Sequence, residues 1–278
     1  MTHQWWRMAI NCRPEDTDLV AAALVGATGQ GVEEPDAGVL LTVATSEADA
    51  KRILAELSLL FPDLDGAVTP LEPVDWSVKW RDGIVTRSFG RLILTPSWLP
   101  VAPIGNQVVV TLDPESAFGS GEHGSTRAAL TLLEHHLTAG DRMLDFGSGS
   151  GILAIAAAKL GATSAIGIEV DDEAFPIAEA NAEKNGVDAA VTFLVGDAGE
   201  LGVLAGPAEV VCSNILRTVN TLLLPSIEKS LVPGGIAIFA GMEDAEEDLF
   251  RPVLNRHGFT AVSDVHDAGW WGVAARRT

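Results

Sequence analysis

Between Trp5 and Leu71 the apolar positions change period several times. Trp5–Asn11 reads as a short strand. Pro14-Glu15-Asp16 then opens a helical pattern that runs to about Ala27 and ends at Gly29 and Gly31. Val32–Glu34 and Gly38–Ala44 read as a hairpin around Pro35-Asp36-Ala37. Ser46, followed by the acids Glu47 and Asp49, has the character of an N-cap and leads a helix to about Phe61. A last strand falls near Ala67–Leu71. The order is β-α-β-β-α-β, a small ferredoxin-like α+β unit. No cluster of catalytic residue types falls within it, so its expected role is substrate recognition.

Residues 70–82 carry Pro70 and Pro73, and read as a linker with a short helix. Trp76 and Trp80, at i and i+4, share a face there, for packing between domains or for a direct substrate contact. Short strands are expected at Ile84–Thr86, Arg91–Thr95 and Gln107–Leu112. From Ser125 onward the pattern alternates. Helices are expected at Ser125–Leu137, Ile152–Leu160, Asp171–Asn185, Val219–Leu231 and Ala245–His257. Between and after them come strands at Met143–Phe146, Ala165–Glu169, Val191–Val195, Glu209–Ser213, Ile236–Ala240, Phe259–Val265 and Trp270–Ala274. Such alternation predicts an α/β domain whose mostly parallel sheet carries helices on both faces. The expected division is therefore a recognition domain at 1–69, a linker at 70–82 and an α/β domain at 83–278.

The most informative stretch is Asp145-Phe146-Gly147-Ser148-Gly149-Ser150-Gly151, set between a strand and a helix, with Glu169 ending the next strand. Strand, glycine turn, helix, strand and acid form the layout of a nucleotide-binding crossover, in which the acid holds a ribose diol. The spacing is G-x-G-x-G rather than the dinucleotide G-x-G-x-x-G, which favours S-adenosylmethionine over a pyrophosphate cofactor. In such sheets ligands bind beyond the carboxyl ends of the strands. That rule brings in Gly147, Gly149, Glu169 and Ser213-Asn214-Ile215-Leu216. A second glycine-rich segment, Ala117-Phe118-Gly119-Ser120-Gly121-Glu122-His123-Gly124-Ser125-Thr126, suits a loop that closes over a ligand. Within it Phe118 is a candidate cofactor contact. Thr126 is either a hydroxyl donor to a bound carboxylate or an ordinary helix-start residue.

The 278 residues, 47% of them apolar, are enough for one large α/β domain and a small one. No apolar run reaches the ~18 residues that span a bilayer, and the start lacks the features of a signal peptide. A cytoplasmic protein without membrane association is expected. Two cysteines, Cys12 and Cys212, are too few for a disulfide framework or a metal site, and both read as small buried residues. The formal charge of −20 argues against direct nucleic-acid binding and favours a basic protein partner, although acidity also serves solubility alone.

Four blocks together resemble one family: Pro114–His123, Asp145–Ala157, Asn214-Ile215-Leu216, and Asp75-Trp76 with Trp80. They look like the PrmA family of S-adenosylmethionine-dependent methyltransferases, which modify the eleventh protein of the large ribosomal subunit. The resemblance covers most of the chain. It implies a seven-stranded, Rossmann-like methyltransferase domain behind a ferredoxin-like recognition domain. It also implies cofactor contacts at Thr126, Gly147, Glu169 and Asn214, and transfer of methyl groups to amines of the ribosomal protein. Asn214 is the candidate catalytic residue, orienting the amine through its amide oxygen; the competing reading is a structural cap.

The chain departs from the family pattern in four places. Glu169 stands where Asp is usual, Glu122 and Gly124 interrupt a Gly-Thr-Gly-Thr-His-Pro-Thr-Thr loop, and Ser213 replaces Ala. No Lys-His-Asp relay is evident, so proton loss to water before docking suffices, with Glu122 and His123 as helpers or as loop structure. Three other readings remain at this level. They are a methyltransferase with a different substrate, a nicotinamide oxidoreductase (disfavoured by the glycine spacing and the absence of Tyr), and a noncatalytic cofactor-binding module.

Overall fold

The computed structural model describes residues 5–71, 84–113 and 121–278. Asp75, Trp76, Trp80, Pro114–His123 up to Ser120, and with them Phe118, lie outside the described residues. The chain divides into two units, Met1–Asp82 and Gly83–Thr278.

In the first unit, strand β1 (Trp6–Asn11) is followed by a 3-10 turn at Pro14–Asp16 and helix α1 (Thr17–Thr28). Strands β2 (Glu33–Asp36) and β3 (Val39–Ala44), helix α2 (Glu47–Leu60) and strand β4 (Asp65–Pro70) complete it. The sheet order is β2-β3-β1-β4, with β1 antiparallel to both β3 and β4. Local chemistry sets the ends. Gly29 adopts φ +66 as the C-cap of α1, and the Ser46 hydroxyl accepts the Asp49 N–H at 3.1 Å at the start of α2. Alternate residues of β1 and β3 face the helices, so Met8, Ile10 and Leu40 meet Val20, Leu24, Ile53 and Leu57. Each such side chain contributes roughly 1.5–3 kcal/mol when fully buried.

The second unit begins with a three-stranded sheet of β5 (Arg87–Phe89), β6 (Leu92–Thr95) and β7 (Val108–Thr111), with β6 parallel to β7. Residues 84–86, expected as a strand, are irregular, and pairing starts at Arg87 opposite Leu94. The register follows from the tight turn at Gly90 and Arg91 rather than from the apolar run before it.

The main sheet has seven strands. They are β8 (Arg142–Phe146), β9 (Ser164–Glu169), β10 (Val191–Val195), β11 (Ala208–Asn214), β12 (Leu231–Glu243), β13 (Phe259–Asp267) and β14 (Trp270–Arg277). Their order is β10-β9-β8-β11-β12-β14-β13; the first five are parallel, and β14 runs antiparallel to both β12 and β13. This is a mostly parallel α/β sheet, with its order reversing between β8 and β11. Helices α3 (Gly124–His136), α4 (Ile152–Leu160), α5 (Phe175–Lys184), α6 (Ala198–Ala205), α7 (Arg217–Ser230) and α8 (Glu247–Arg256) cover it. Two apolar clusters result. One lies under α3 and α4 with Leu130, Leu133, Leu153 and Ile155, the other under α7 and α8 with Leu224, Ile227, Phe250 and Trp271.

The sequence reading missed α6, whose stretch Ala198-Gly199-Glu200-Leu201-Gly202 looks too glycine-rich for a helix. Gly202 is there for contact: a Cβ at that position would collide with the Phe146 ring. The segment Pro233–Gly235, expected to separate helix from strand, lies inside β12, where the pairing with β11 shifts register between Ala208 and Val210. Cys212 is fully buried and burial pushes its thiol well up, whereas Cys12, also expected inside, is half-buried. Among the described residues no helix is long and apolar enough to cross a membrane, and no cluster of side chains has the makeup of a metal site.

Candidate functional site

A cavity of about 650 Å³ opens at the carboxyl ends of the parallel strands. Its lining includes Gly147, Gly149, Glu169 and Asn214, so four sequence-derived candidates meet in one place. The glycine loop makes this possible. Gly147 adopts φ +78 and Gly149 φ +49, and a Cβ on Gly147 would stand 2.6 Å from Ile215 Cγ2. The backbone thus comes closer to the Asn214–Leu216 turn than any other residue would permit.

Glu169, at the end of β9, is held by backbone donors. Its Oε2 accepts the Gly149 N–H at 2.9 Å, and its Oε1 accepts the N–H groups of Val170 at 2.8 Å and Asp171 at 3.1 Å. The extra methylene relative to Asp lets the carboxylate span from its own turn to the glycine loop. Beneath that loop Asp145 is wholly buried. Burial pushes its pKa up to about 8; the Ala154 N–H acts against this without reaching full hydrogen-bond geometry, and the nearby Glu169 charge adds to it. Asp145 is therefore a neutral acid at neutral pH.

Asn214 ends β11 and is 8% exposed. Its Nδ2 donates to Thr126 Oγ1 at 3.3 Å, while its Oδ1 is buried without a hydrogen-bond partner among the described residues. Thr126 is fully buried behind Asn214, in the first turn of α3, and is not part of the cavity lining. The turn after Asn214 is fixed by Asn220, which sequence reasoning passed over. Its Nδ2 donates to the Ile215 carbonyl at 2.9 Å and to the Ala240 carbonyl at 3.0 Å, tying α7 to the end of β12. A polar residue at an otherwise apolar helix position was the available signal. Ser213, where the family has Ala, is buried with an unpartnered hydroxyl.

The cavity also brings in residues that the sequence did not single out. Gly196, Asp197 and Ala198 line it from the end of β10, with Asp197 capping α6 by accepting the Gly199 N–H at 2.6 Å. Trp270 lines it from the start of β14, its ring 4.2 Å from that of His123. Burial, reinforced by the Arg127 charge, lowers the His123 pKa, so the imidazole is neutral at neutral pH. The His123 Nδ1 lies 2.7 Å from Ser125 Oγ. Glu122 turns away from the cavity wall to Arg87, with separations of 2.5 and 3.3 Å. Overall the walls are apolar, with Ile168, Val170, Leu216, Val219 and Leu223 among them.

Known proteins resemble this chain in sequence and in fold. The profile of the ribosomal protein L11 methyltransferase (PrmA) family matches residues 4–278. The chain is 33% identical to the ribosomal protein L11 methyltransferase of Syntrophotalea carbinolica, over 94% of each chain. It is 36% identical to that of Syntrophomonas wolfei, over 73% of this chain and 66% of the relative. Among solved structures, the ribosomal protein L11 methylase of Lactobacillus delbrueckii subsp. bulgaricus superposes with a TM-score of 0.62. The two are 29% identical, and the match covers 69% of this chain and 98% of that one. A family match over nearly the whole length, on a sheet that gathers the glycine loop, Glu169 and Asn214 around one cavity, makes this chain a member of the ribosomal protein L11 methyltransferase (PrmA) family.

Proposed function

We propose that this chain transfers methyl groups from S-adenosylmethionine to amines of ribosomal protein L11, with Asn214 as the residue that orients the acceptor. The carrying observation is the buried Oδ1 of Asn214, which has no hydrogen-bond partner among the described residues, on a side chain that Thr126 holds at the cavity. A buried acceptor left unpaired costs roughly 1–3 kcal/mol, so its retention calls for a donor supplied by a ligand.

The cavity fits the cofactor on structural grounds. At Gly147 the backbone itself lines the cavity, and a Cβ there would stand 2.6 Å from Ile215 Cγ2, so only glycine brings the main chain this close to where the amino-acid portion would lie. Glu169 is an anionic acceptor at the place where a diol is expected, and the apolar wall of Val170 and Ala198 suits a flat base. When bound, S-adenosylmethionine supplies an activated methyl on a sulfonium. Glu169, Gly147 and Gly149 would hold the cofactor, Thr126 would fix the Asn214 amide, and the Asn214 oxygen would accept an N–H of the incoming amine. In-line alignment of this kind supplies much of the rate in displacement chemistry. The apolar walls exclude water and favour the neutral amine.

The amino-terminal unit serves recognition in this reading. Its strand order, β2-β3-β1-β4 around a central β1, supports the ferredoxin-like assignment. It exposes Leu19, Leu59 and Leu60, and residues 1–66 hold 11 acids against 4 bases, which suits a basic protein. Direct nucleic-acid contact has no part in the proposal, and a cytoplasmic location follows from a ribosomal substrate. Mass spectrometry of L11 after incubation with the enzyme and isotope-labelled cofactor tests the activity. Labelled methyl groups on lysine or amino-terminal nitrogens are expected, and unmodified L11 would refute the substrate assignment.

A further inference from the structure

We infer that two buried asparagines set back from the cavity, Asn181 and Asn220, are positioning residues with separate duties. Asn181 holds the glycine loop for the cofactor, and Asn220 holds the turn that carries Asn214 for the transfer step. The inference rests on the methyl-transfer reading above and gives roles to two side chains that do not line the cavity.

Each asparagine occupies a buried helix position that an apolar residue would suit better. Asn181 is buried on α5 together with Ala178 and Ala182, and Asn220 on α7 together with Leu224 and Ile227. The two are 2% and 0% exposed. Asn is a weaker helix former than Ala or Leu, and burying its amide costs free energy unless the polar atoms find partners. In both cases the partner is a main-chain carbonyl of a segment that borders the cavity.

The glycine loop is tied from two sides. From β9, the Ile168 carbonyl accepts the N–H groups of Gly147 at 2.8 Å and Ser148 at 3.1 Å, and Glu169 accepts that of Gly149. From α5, Asn181 Nδ2 donates to the Ser150 carbonyl at 3.0 Å. Contact tightens the same joint. A Cβ on Gly151 would stand 2.6 Å from Phe193 Cζ and 3.2 Å from Ala178 Cβ, one helical turn before Asn181. The end of α5 is registered in turn by Asn185, whose side chain accepts the Thr111 N–H and donates to the Thr111 carbonyl, both at 2.8 Å. Asn185 Nδ2 also donates to the Asn181 carbonyl at 2.8 Å. Strand β9 thus fixes the first half of the loop, and Asn181 fixes the second half, where the chain enters α4.

Asn220 has the corresponding place at the other wall. Asn214 and Ala240 form the last in-register pair of β11 and β12. Just beyond it, Asn220 Nδ2 bridges the Ile215 carbonyl at 2.9 Å and the Ala240 carbonyl at 3.0 Å. Its Oδ1 has no hydrogen-bond partner among the described residues, so the amide serves through its N–H groups. A Cβ at Gly241 would collide with the Ile215 carbonyl, and glycine there lets the two strand ends touch. The peptide after Asn214 is therefore clamped, while Thr126 holds the Asn214 side chain. A displacement of ~1 Å at an aligning residue can lower a rate by ~10²-fold.

The two roles give a crossed pattern in the full chain. Asn181→Leu keeps a branched side chain without the donors. It is expected to raise the S-adenosylmethionine Kd by ~10-fold in titration calorimetry, with the single-turnover rate on L11 at saturating cofactor within ~3-fold of the parent. Asn220→Leu is expected to lower that rate by ~10-fold or more and to leave the cofactor Kd within ~3-fold. A general loss of structure would move both readouts together in both variants. Alanine replaces leucine at either position if the Leu variant does not fold. A parental Kd in the Asn181 variant, a parental rate in the Asn220 variant, or a Kd and a rate that move together in either one overturns the assignment. A parent chain that binds cofactor but leaves L11 unmodified sinks the methyl-transfer reading instead, and the role of Asn181 is then still decided by calorimetry alone.

Discussion

Among the described residues of the amino-terminal unit, the buried polar side chains are all paired. Thr17 donates to the Pro14 carbonyl at 3.0 Å and Thr42 to the Gly31 carbonyl at 2.9 Å. In the α/β unit, Asp145, Ser148, Ser213, Asn214 and Asn220 keep buried oxygens, and Trp271 a buried indole N–H, without a hydrogen-bond partner among the described residues. Asp145, Ser148, Ser213 and Asn214 sit at the ends of β8 and β11 or in the glycine loop, and Asn214 lines the cavity. A unit built only for stability and surface contact satisfies its polar atoms internally. One built for chemistry leaves acceptors for ligands and bears the cost in stability. The contrast supports the proposed division, with recognition in the first unit and transfer in the second.

The largest effect is expected where the unsatisfied acceptor meets the substrate. Asn214→Ala should lower the single-turnover methylation rate by ~10²-fold or more through loss of alignment, with a smaller effect on cofactor binding. Wild-type single-turnover rates at saturating cofactor would make Asn214 a structural cap. Next comes Glu169→Ala, expected to weaken S-adenosylmethionine binding by about 1.5–3 kcal/mol in titration calorimetry, because charge-assisted hydrogen bonds are lost. Glu169→Asp should bind nearly as well, Asp being the usual residue at this place. An Ala variant with parental affinity would remove Glu169 from the cofactor site.

Asp145 sharpens the contrast through stability. Its folded pKa of about 8 stands far above the ordinary Asp value, so between about pH 4 and 8 the folded state binds the extra proton. Its contribution is fully present below that window and is lost as pH rises through it, by up to about 1.4 kcal/mol per pH unit. Asp145→Asn has nothing to titrate. The Tm of the variant relative to the parent should therefore climb between pH 5.5 and 7.5. An equal difference at both pH values would mean that Asp145 is not a buried neutral acid.

Local signals made the outline of this molecule legible. The glycine string, the acid one strand later and the polar end of β11 are features that a sequence shows directly, and Gly147, Gly149, Glu169 and Asn214 do meet at the cavity. What escaped depends on tertiary contact. Helix α6 was hidden because Gly202 answers to the Phe146 ring rather than to helix propensity, and Asp197 was hidden with it. Trp270 sits more than a hundred residues from the loop that its ring touches. Glu122 looked like a charge added to the site until Arg87, 35 residues away, was seen to hold it. The hydrogen bond from Asn214 to Thr126, 88 residues apart, was equally invisible in the sequence.

The division of labour between the units is tested most directly by comparing the full chain with residues 83–278 alone, measuring cofactor binding and L11 methylation on both. The account predicts that the shorter chain binds S-adenosylmethionine within a few-fold of the full chain, since Glu169, the glycine loop and Asn214 all lie within it. It also predicts that L11 methylation falls to background. Methylation of L11 by the shorter chain at the parental rate would contradict the assignment of recognition to the amino-terminal unit.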